Sequence, residues 1–270
     1  MKSIPLSMLV IIVSTAMFTG CARVIPSPTT TPNPSSTPTA TLMPSPSPVP
    51  LILQYLGNSC ILIKAPDGTR IVSDPYSKTS HSRGLKALPE DLEADAVTIS
   101  HIHNDHNFAE GVKGNPQVFT EPGLYQVGMV KITAYEGREG SPSGPSNMRD
   151  TIFVFEIDGV KIVHLGDSGI ITDAEVLAGV DNADIVIVNI DGYVILADQI
   201  MPFMKQIHAR SILPSHYSHL KNPRWNGAPT IDEFLETLTS DVVVVRDESE
   251  IQLIPNMPDQ VLILAPLMLE

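Results

Sequence analysis

The chain has 270 residues, with 30 acidic against 17 basic side chains and a formal net charge of −13. No Lys/Arg cluster interrupts that balance, which excludes an electrostatic footprint for nucleic acid or for anionic lipid headgroups. Cys60 is the only cysteine besides Cys21, so a domain beginning after residue 50 holds no internal disulfide, and Cys60 reads as a buried structural thiol.

The first 20 residues combine Met1-Lys2 with an apolar stretch from Ile4 to Phe18 that is too short for a comfortable membrane span, the pattern of a secretory signal. Phe18-Thr19-Gly20-Cys21 is similar to a bacterial lipobox with Phe in place of the usual Leu. Cleavage there makes Cys21 a lipidated first residue and the address extracytoplasmic and membrane-anchored; a plain secretory peptide is the alternative. Residues 21–50 are dominated by Pro, Ser and Thr, cannot bury enough apolar area to offset their ordering entropy, and read as a semi-rigid spacer.

Residues 51–270 then form one domain with a substantial core. Leu51–Leu56, Cys60–Ile63 and Arg70–Ser73 are expected strands, divided by Gly57-Asn58 and Pro66-Asp67-Gly68. Thr151–Ile157 and Val160–Val163 flank Asp158-Gly159, a hairpin signature. Ile185–Val188 and Val242–Val245 resemble strands covered on both faces. Asp173–Leu177 is a short expected helix, and Thr230 with Glu233 forms a capping box for a helix that turns Ile231, Phe234, Leu235 and Leu238 inward. Ile195–Ile207 is helical with Leu196, Ile200, Met204 and Ile207 on one face, and Pro202 should kink it. The apolar tail Val261–Leu269 is a final strand or a subunit contact. Two sheets flanked by helices follow, a layered α/β architecture.

The chemistry concentrates in His101-Ile102-His103-Asn104-Asp105-His106, directly after the apolar Ala96-Val97-Thr98-Ile99. Imidazole and carboxylate are ligands for Zn²⁺ and also suit Mn²⁺ and Fe²⁺. In extended backbone His101 and His103 share a side and can converge on one ion. A turn into a helix would carry Asp105 and His106 to a second position. Further donors stand at two other strand ends, in His164-Leu165-Gly166-Asp167 and Pro214-Ser215-His216-Tyr217.

These three motifs, with Asp74-Pro75-Tyr76 upstream, resemble the metallo-β-lactamase superfamily, in particular the branch containing phospho-ascorbate lactonase. The resemblance covers nearly all of residues 51–246 and implies an αββα sandwich with one or two divalent ions at one edge, Zn²⁺ first and Mn²⁺ or Fe²⁺ as alternatives. It implies His101 and His103 on the first metal, Asp105, His106 and His216 on the second, and Asp167 bridging. Asp74 and His164 would orient ligands. The family's further histidine is missing: Glu136 stands in its place, either as a harder ligand favouring Mn²⁺ or Fe²⁺, or as a solvated carboxylate beside a weakened first site.

The activity so implied is hydrolysis of a small-molecule lactone, ester or phosphodiester by a metal-bound hydroxide, the ion lowering the pKa of its water from 15.7 to roughly 7. Asp105 and His216 are the expected catalytic residues, Asp105 orienting or deprotonating the water where only one metal is bound and His216 with Tyr217 stabilising oxyanion charge; His219 is expected in solvent. Lys205, Arg210, Lys221 and Arg224 are candidates for a phosphate. The alternative is a surface-displayed metal- or ligand-binding pseudoenzyme of the same fold, and oligomerisation is open.

Overall fold

Short apolar runs broken by Gly, Asn and Pro favour strands over long helices, and the computed structural model bears this out over the residues it describes, 49–78, 84–141, 148–219 and 229–267. Residues 1–48, with the expected signal peptide, Cys21 and nearly all of the spacer, lie outside the described residues, as do Lys221 and Arg224.

The strands, in chain order, are β1 (Leu51–Gly57), β2 (Cys60–Lys64), β3 (Arg70–Ser73), β4 (Ala96–Thr98), β5 (Gln117–Phe119), β6 (Gly123–Val127) and β7 (Val130–Arg138). They continue as β8 (Arg149–Ile157), β9 (Val160–His164), β10 (Ile185–Asn189), β11 (Ser211–Ser215), β12 (Val244–Asp247), β13 (Glu250–Leu253) and β14 (Gln260–Leu264). Among the described residues three α-helices join them: α1 (Ala174–Val180), α2 (Ala197–Gln206) and α3 (Ile231–Leu235). One sheet has the order β13-β1-β2-β3-β4-β5 and the other β12-β14-β11-β10-β9-β8-β7-β6. The β8–β9 hairpin turns on Asp158 at φ 51° and Gly159 at φ 82°, both positive as a type I′ turn requires.

Strand alternation explains three cores. Ile185 and Ile187 of β10 face the space between the sheets, with Phe153 and Phe155 of β8 and Leu53 and Ile63 from the opposite sheet. Val186 and Val188 face the other way, onto the helices, where they meet Val176, Ile200, Phe203 and Phe234. Each such fully buried side chain contributes about 1.5–3 kcal/mol of transfer free energy. The third core covers the outer face of the first sheet with Leu85, Leu88, Leu92 and Val112 over Leu62, Val72 and Val97. An αββα sandwich results, but among the described residues this outer layer is loop plus one turn of 3₁₀ helix, Ala109–Gly111.

Several expectations change. Val242–Val245 is not a doubly covered strand: β12 begins at Val244, sits at a sheet edge, and leaves Val243 and Val244 exposed. The tail supplies β14, hydrogen-bonded on both sides between β12 and β11, so the expected final strand forms over Val261–Leu264. In α2, Ile200, Met204 and Ile207 are buried as expected but Leu196 is the exposed N-cap. Helix α2 runs through Pro202, and α3 has the expected capping box at Thr230 and Glu233.

Candidate metal centre

Chain direction places the site. Strands β9, β10 and β11 are mutually parallel, as are β3 and β4, so their C-terminal ends emerge together at one edge of each sheet. Asp74 follows β3, His101 follows β4, Asp167 follows β9, Asp191 follows β10, and His216 follows β11. Asp150 enters the same edge from the other direction, because β8 is antiparallel to β9. The segment after His101 does not become an α-helix. It turns at once, with the His106 N–H donating to the His103 carbonyl at 2.9 Å, and that turn folds Asp105 and His106 back towards His101.

Two overlapping donor groups form at this edge, His101 with His106 and Asp167, and Asp105 with His106 and His216. The ligand atoms of each group lie within 4.8 Å of one another, and all five residues are buried. His106 Nε2 is 3.1 Å from His216 Nε2 and 3.6 Å from Asp167 Oδ1, and His216 Nε2 is 3.2 Å from Asp105 Oδ2. His101 Nε2 is 3.7 Å from Asp167 Oδ2.

The opposite ring nitrogens are held by fixed partners. His106 Nδ1 faces Asp74 Oδ2 at 2.8 Å, His216 Nδ1 faces Asp191 Oδ2 at 3.2 Å, and His101 Nδ1 faces Asp150 Oδ1 at 3.2 Å. A carboxylate can only accept, so each Nδ1 donates, and in the neutral imidazole each Nε2 turns its lone pair inward. Asp74 is itself fixed by the Ser100 N–H at 2.7 Å and the Ser100 hydroxyl at 2.6 Å. The Asn189 amide donates to Asp167 Oδ1 at 2.7 Å, and the Ser168 hydroxyl to Asp150 Oδ2 at 2.5 Å. Gly166 is required beside Asp167: at φ 57°, a Cβ there would lie 2.5 Å from Ser100 Cβ and 2.8 Å from Asp150 Oδ1.

The electrostatics are those of a cation site. Burial lowers the affinity of His106 for a proton, but Asp167, Asp74 and Asp105 more than reverse this and push its pKa up to about 10. Burial acts to raise Asp167, yet the surrounding His216, His106 and His101 hold it well below the usual carboxylate range. Lone pairs of His106 and His216 that face each other at 3.1 Å need a proton or a cation between them. His101 Nε2 is buried with no hydrogen-bond partner among the described residues, which is the state of a ligand atom rather than of a structural histidine. The residues present therefore fit a divalent ion.

Other expected site residues fall elsewhere. His103 is half-buried, edge-on to the His101 ring with centroids 4.6 Å apart, and outside both tight donor groups. Glu136 is not in the cluster: its side chain is 53% exposed and paired with Arg138 at 2.6 Å. His164 donates from Nε2 to the Ser59 carbonyl at 2.7 Å and accepts the Gly166 N–H at Nδ1, so it braces the loop that carries Asp167. Tyr217 packs into the helix-side core, and His219 is half-buried against the Tyr217 ring rather than in solvent. Lys205 lies in the last turn of α2 and Arg210 directly before β11, at the end of that strand opposite the one His216 follows. Sequence reasoning missed Asp150, Asp191 and Asn189. Asn189-Ile190-Asp191-Gly192, a polar run at the end of an apolar strand, repeats the signal that marked Asp167.

Residues 52–216 match the model of the β-lactamase superfamily domain. The chain belongs to this family. Among curated members it is similar to a UPF0173 metal-dependent hydrolase of Thermococcus onnurineus, 28% identical over 192 residues that span 62% of this chain and 84% of that protein. A second such hydrolase, from Cupriavidus taiwanensis, is 25% identical over 68% of this chain and 79% of its own. A solved structure from Thermotoga maritima, described as a candidate zinc-dependent hydrolase of the metallo-β-lactamase superfamily, superposes with a TM-score of 0.63 at 27% identity, covering 79% of this chain and 98% of that one. An isothiocyanate hydrolase from Delia radicum gut bacteria gives a TM-score of 0.53 at 14% identity, covering 80% and 97%, and shares the fold.

Proposed function

We propose that the chain is a metal-dependent hydrolase acting on a small-molecule lactone, ester or phosphodiester. The observation that carries this reading is the buried convergence of His101, His106, His216, Asp105 and Asp167, with the Nε2 of His101 left without a hydrogen-bond partner among the described residues. A divalent ion in such a site acidifies water and polarises a carbonyl or phosphoryl oxygen. The protein's share is orientation. Asp74, Asp191 and Asp150 fix three imidazoles in the tautomer that binds a cation. Asn189 anchors one oxygen of Asp167 and leaves the other directed at His101. Asp105 Oδ2, within reach of His216 Nε2, is placed to orient an entering water and take its proton.

Zinc is the ion we favour, with manganese or iron as alternatives, and the motifs support the phospho-ascorbate-lactonase-like branch. A lipid on Cys21 would hold the domain outside the cytoplasmic membrane and give it extracytoplasmic substrates, a reading supported by Thr19-Gly20-Cys21 and by the Pro/Ser/Thr spacer. The test is a panel of chromogenic lactones, carboxylic esters and phosphodiesters offered to the Zn²⁺-, Mn²⁺- and Fe²⁺-loaded protein and to a folded His106→Ala variant. Turnover abolished by that substitution is expected. Tight ion binding with no turnover on any substrate would favour the pseudoenzyme instead.

A further inference from the structure

We propose that Glu139, not Glu136, supplies the carboxylate that completes a first metal position with His101, His103 and Asp167. The inference rests on the metal-dependent reading above and concerns a residue that the sequence motifs do not mark.

Backbone placement comes first. Beyond β7 the chain crosses the loop that carries Asp167: Glu139 forms an antiparallel bridge with Ser168, the Gly140 N–H donates to the Asp167 carbonyl at 2.9 Å, and the Gly169 N–H donates to the Arg138 carbonyl at 3.0 Å. The position is locked, because a Cβ on Gly140 would lie 2.0 Å from the Val194 carbonyl oxygen. Glu139 is 8% exposed, whereas the side chains of Glu136 and Arg138 are 53% and 52% exposed. The strand thus leaves one carboxylate in water and buries another, three residues on, beside the loop that carries Asp167.

The surroundings of that carboxylate come second. Burial raises the Glu139 carboxyl, the imidazoles of His103 and His101 oppose this, and Asp167 and Asp150 add to the rise. A buried carboxylate needs a compensating positive charge, which the imidazoles or a bound ion supply. Independently, His101 Nε2 is buried, has no hydrogen-bond partner among the described residues, and lies 3.7 Å from Oδ2 of Asp167, the residue whose loop Glu139 bridges. His103, outside the tight donor groups, gains a reason to turn inward if its neighbour there is a metal-bearing carboxylate. A carboxylate is harder than the imidazole it replaces, which shifts preference at this position towards Mn²⁺ or Fe²⁺ relative to an all-histidine site.

The experiment is a metal titration of the full chain, comparing wild type with Glu139→Gln and Glu136→Gln. Bound Zn²⁺ is counted by elemental mass spectrometry, and Co²⁺ is followed by its visible spectrum. Wild type and Glu136→Gln should each bind two equivalents. Glu139→Gln should lose the weaker one or bind it at least about tenfold less tightly, with the matching Co²⁺ bands lost. Glu139→His, which restores a ligand, should regain two equivalents and serves if the Gln variant is poorly folded. Two equivalents with an unchanged spectrum in Glu139→Gln would overturn the assignment, as would a loss confined to Glu136→Gln or a wild type that binds only one ion. A wild type that binds none would sink the hydrolase reading itself.

Discussion

Replacing Asp74 by Asn removes one charge and almost no volume, and it should disable the site without touching a metal ligand. Asp74 is fully buried, sits at φ 48°, and accepts from the Ser100 N–H, the Ser100 hydroxyl and His106 Nδ1 at 2.7, 2.6 and 2.8 Å. Each of these is a bond to a charged acceptor, worth about 1 kcal/mol more than its neutral counterpart, so the metal-free protein should lose about 3 kcal/mol. For a domain of this size that lowers Tm by about 6–12 °C. The consequence for the metal is separate. The Asn amide N–H faces His106 Nδ1 and makes it an acceptor, which moves the ring proton to Nε2 and blocks the lone pair that would bind an ion. Metal affinity should fall about 10–100-fold, measured by competition with a chromophoric chelator, and stability by urea unfolding after chelation. An affinity within twofold of wild type, together with a Tm within about 1 °C, would refute the claim that Asp74 sets the His106 tautomer.

In chelated protein the raised pKa of His106 makes its contribution complete below about pH 6.5 and progressively lost as pH rises towards 10, so urea midpoints should fall from pH 6.5 to 9.5. The depressed carboxyl of Asp167 acts oppositely, its stabilisation present above about pH 4 and lost below it. Metal affinity should instead rise with pH over that alkaline range, since an ion displaces the His106 proton; a flat profile in both experiments would contradict the site's electrostatics. Gly166→Ala should cost about 2 kcal/mol or more, because its Cβ meets Ser100 and Asp150 at positive φ, and an unchanged Tm would show that the loop relaxes freely. Glu136→Gln should change stability by no more than about 0.5 kcal/mol, as expected for an exposed pair with Arg138, and a larger loss would mean that Glu136 does more than face solvent.

The sandwich was legible because its signals are local. Period-two apolar runs, Asp158-Gly159 and the Thr230 capping box specify elements irrespective of what packs on them. Val242–Val245 misled because composition cannot distinguish a covered strand from an edge one; the neighbour that decides it, β14, comes from the end of the chain. The clustered donors His101, Asp105 and His106 were visible because nothing but metal chemistry asks for such density in six residues, and Asp167 and His216 because they close apolar strands. Glu136 and Glu139 show the limit. Both lie near the end of one strand, and only the bridge from Glu139 to Ser168 and the tight contact at Gly140 decide which carboxylate is buried. Asp150 and Asp191 were obscured for a related reason, since their role is to hold an imidazole that arrives from another part of the chain.

The most direct test is the metal content of the full chain, purified without chelators or immobilised-metal resins and measured by elemental mass spectrometry alongside His106→Ala. His106 belongs to both donor groups, so the account predicts close to two equivalents of Zn, Mn or Fe in wild type and less than one in the variant. A wild-type protein that holds no metal, and takes up none when each ion is supplied, would contradict it.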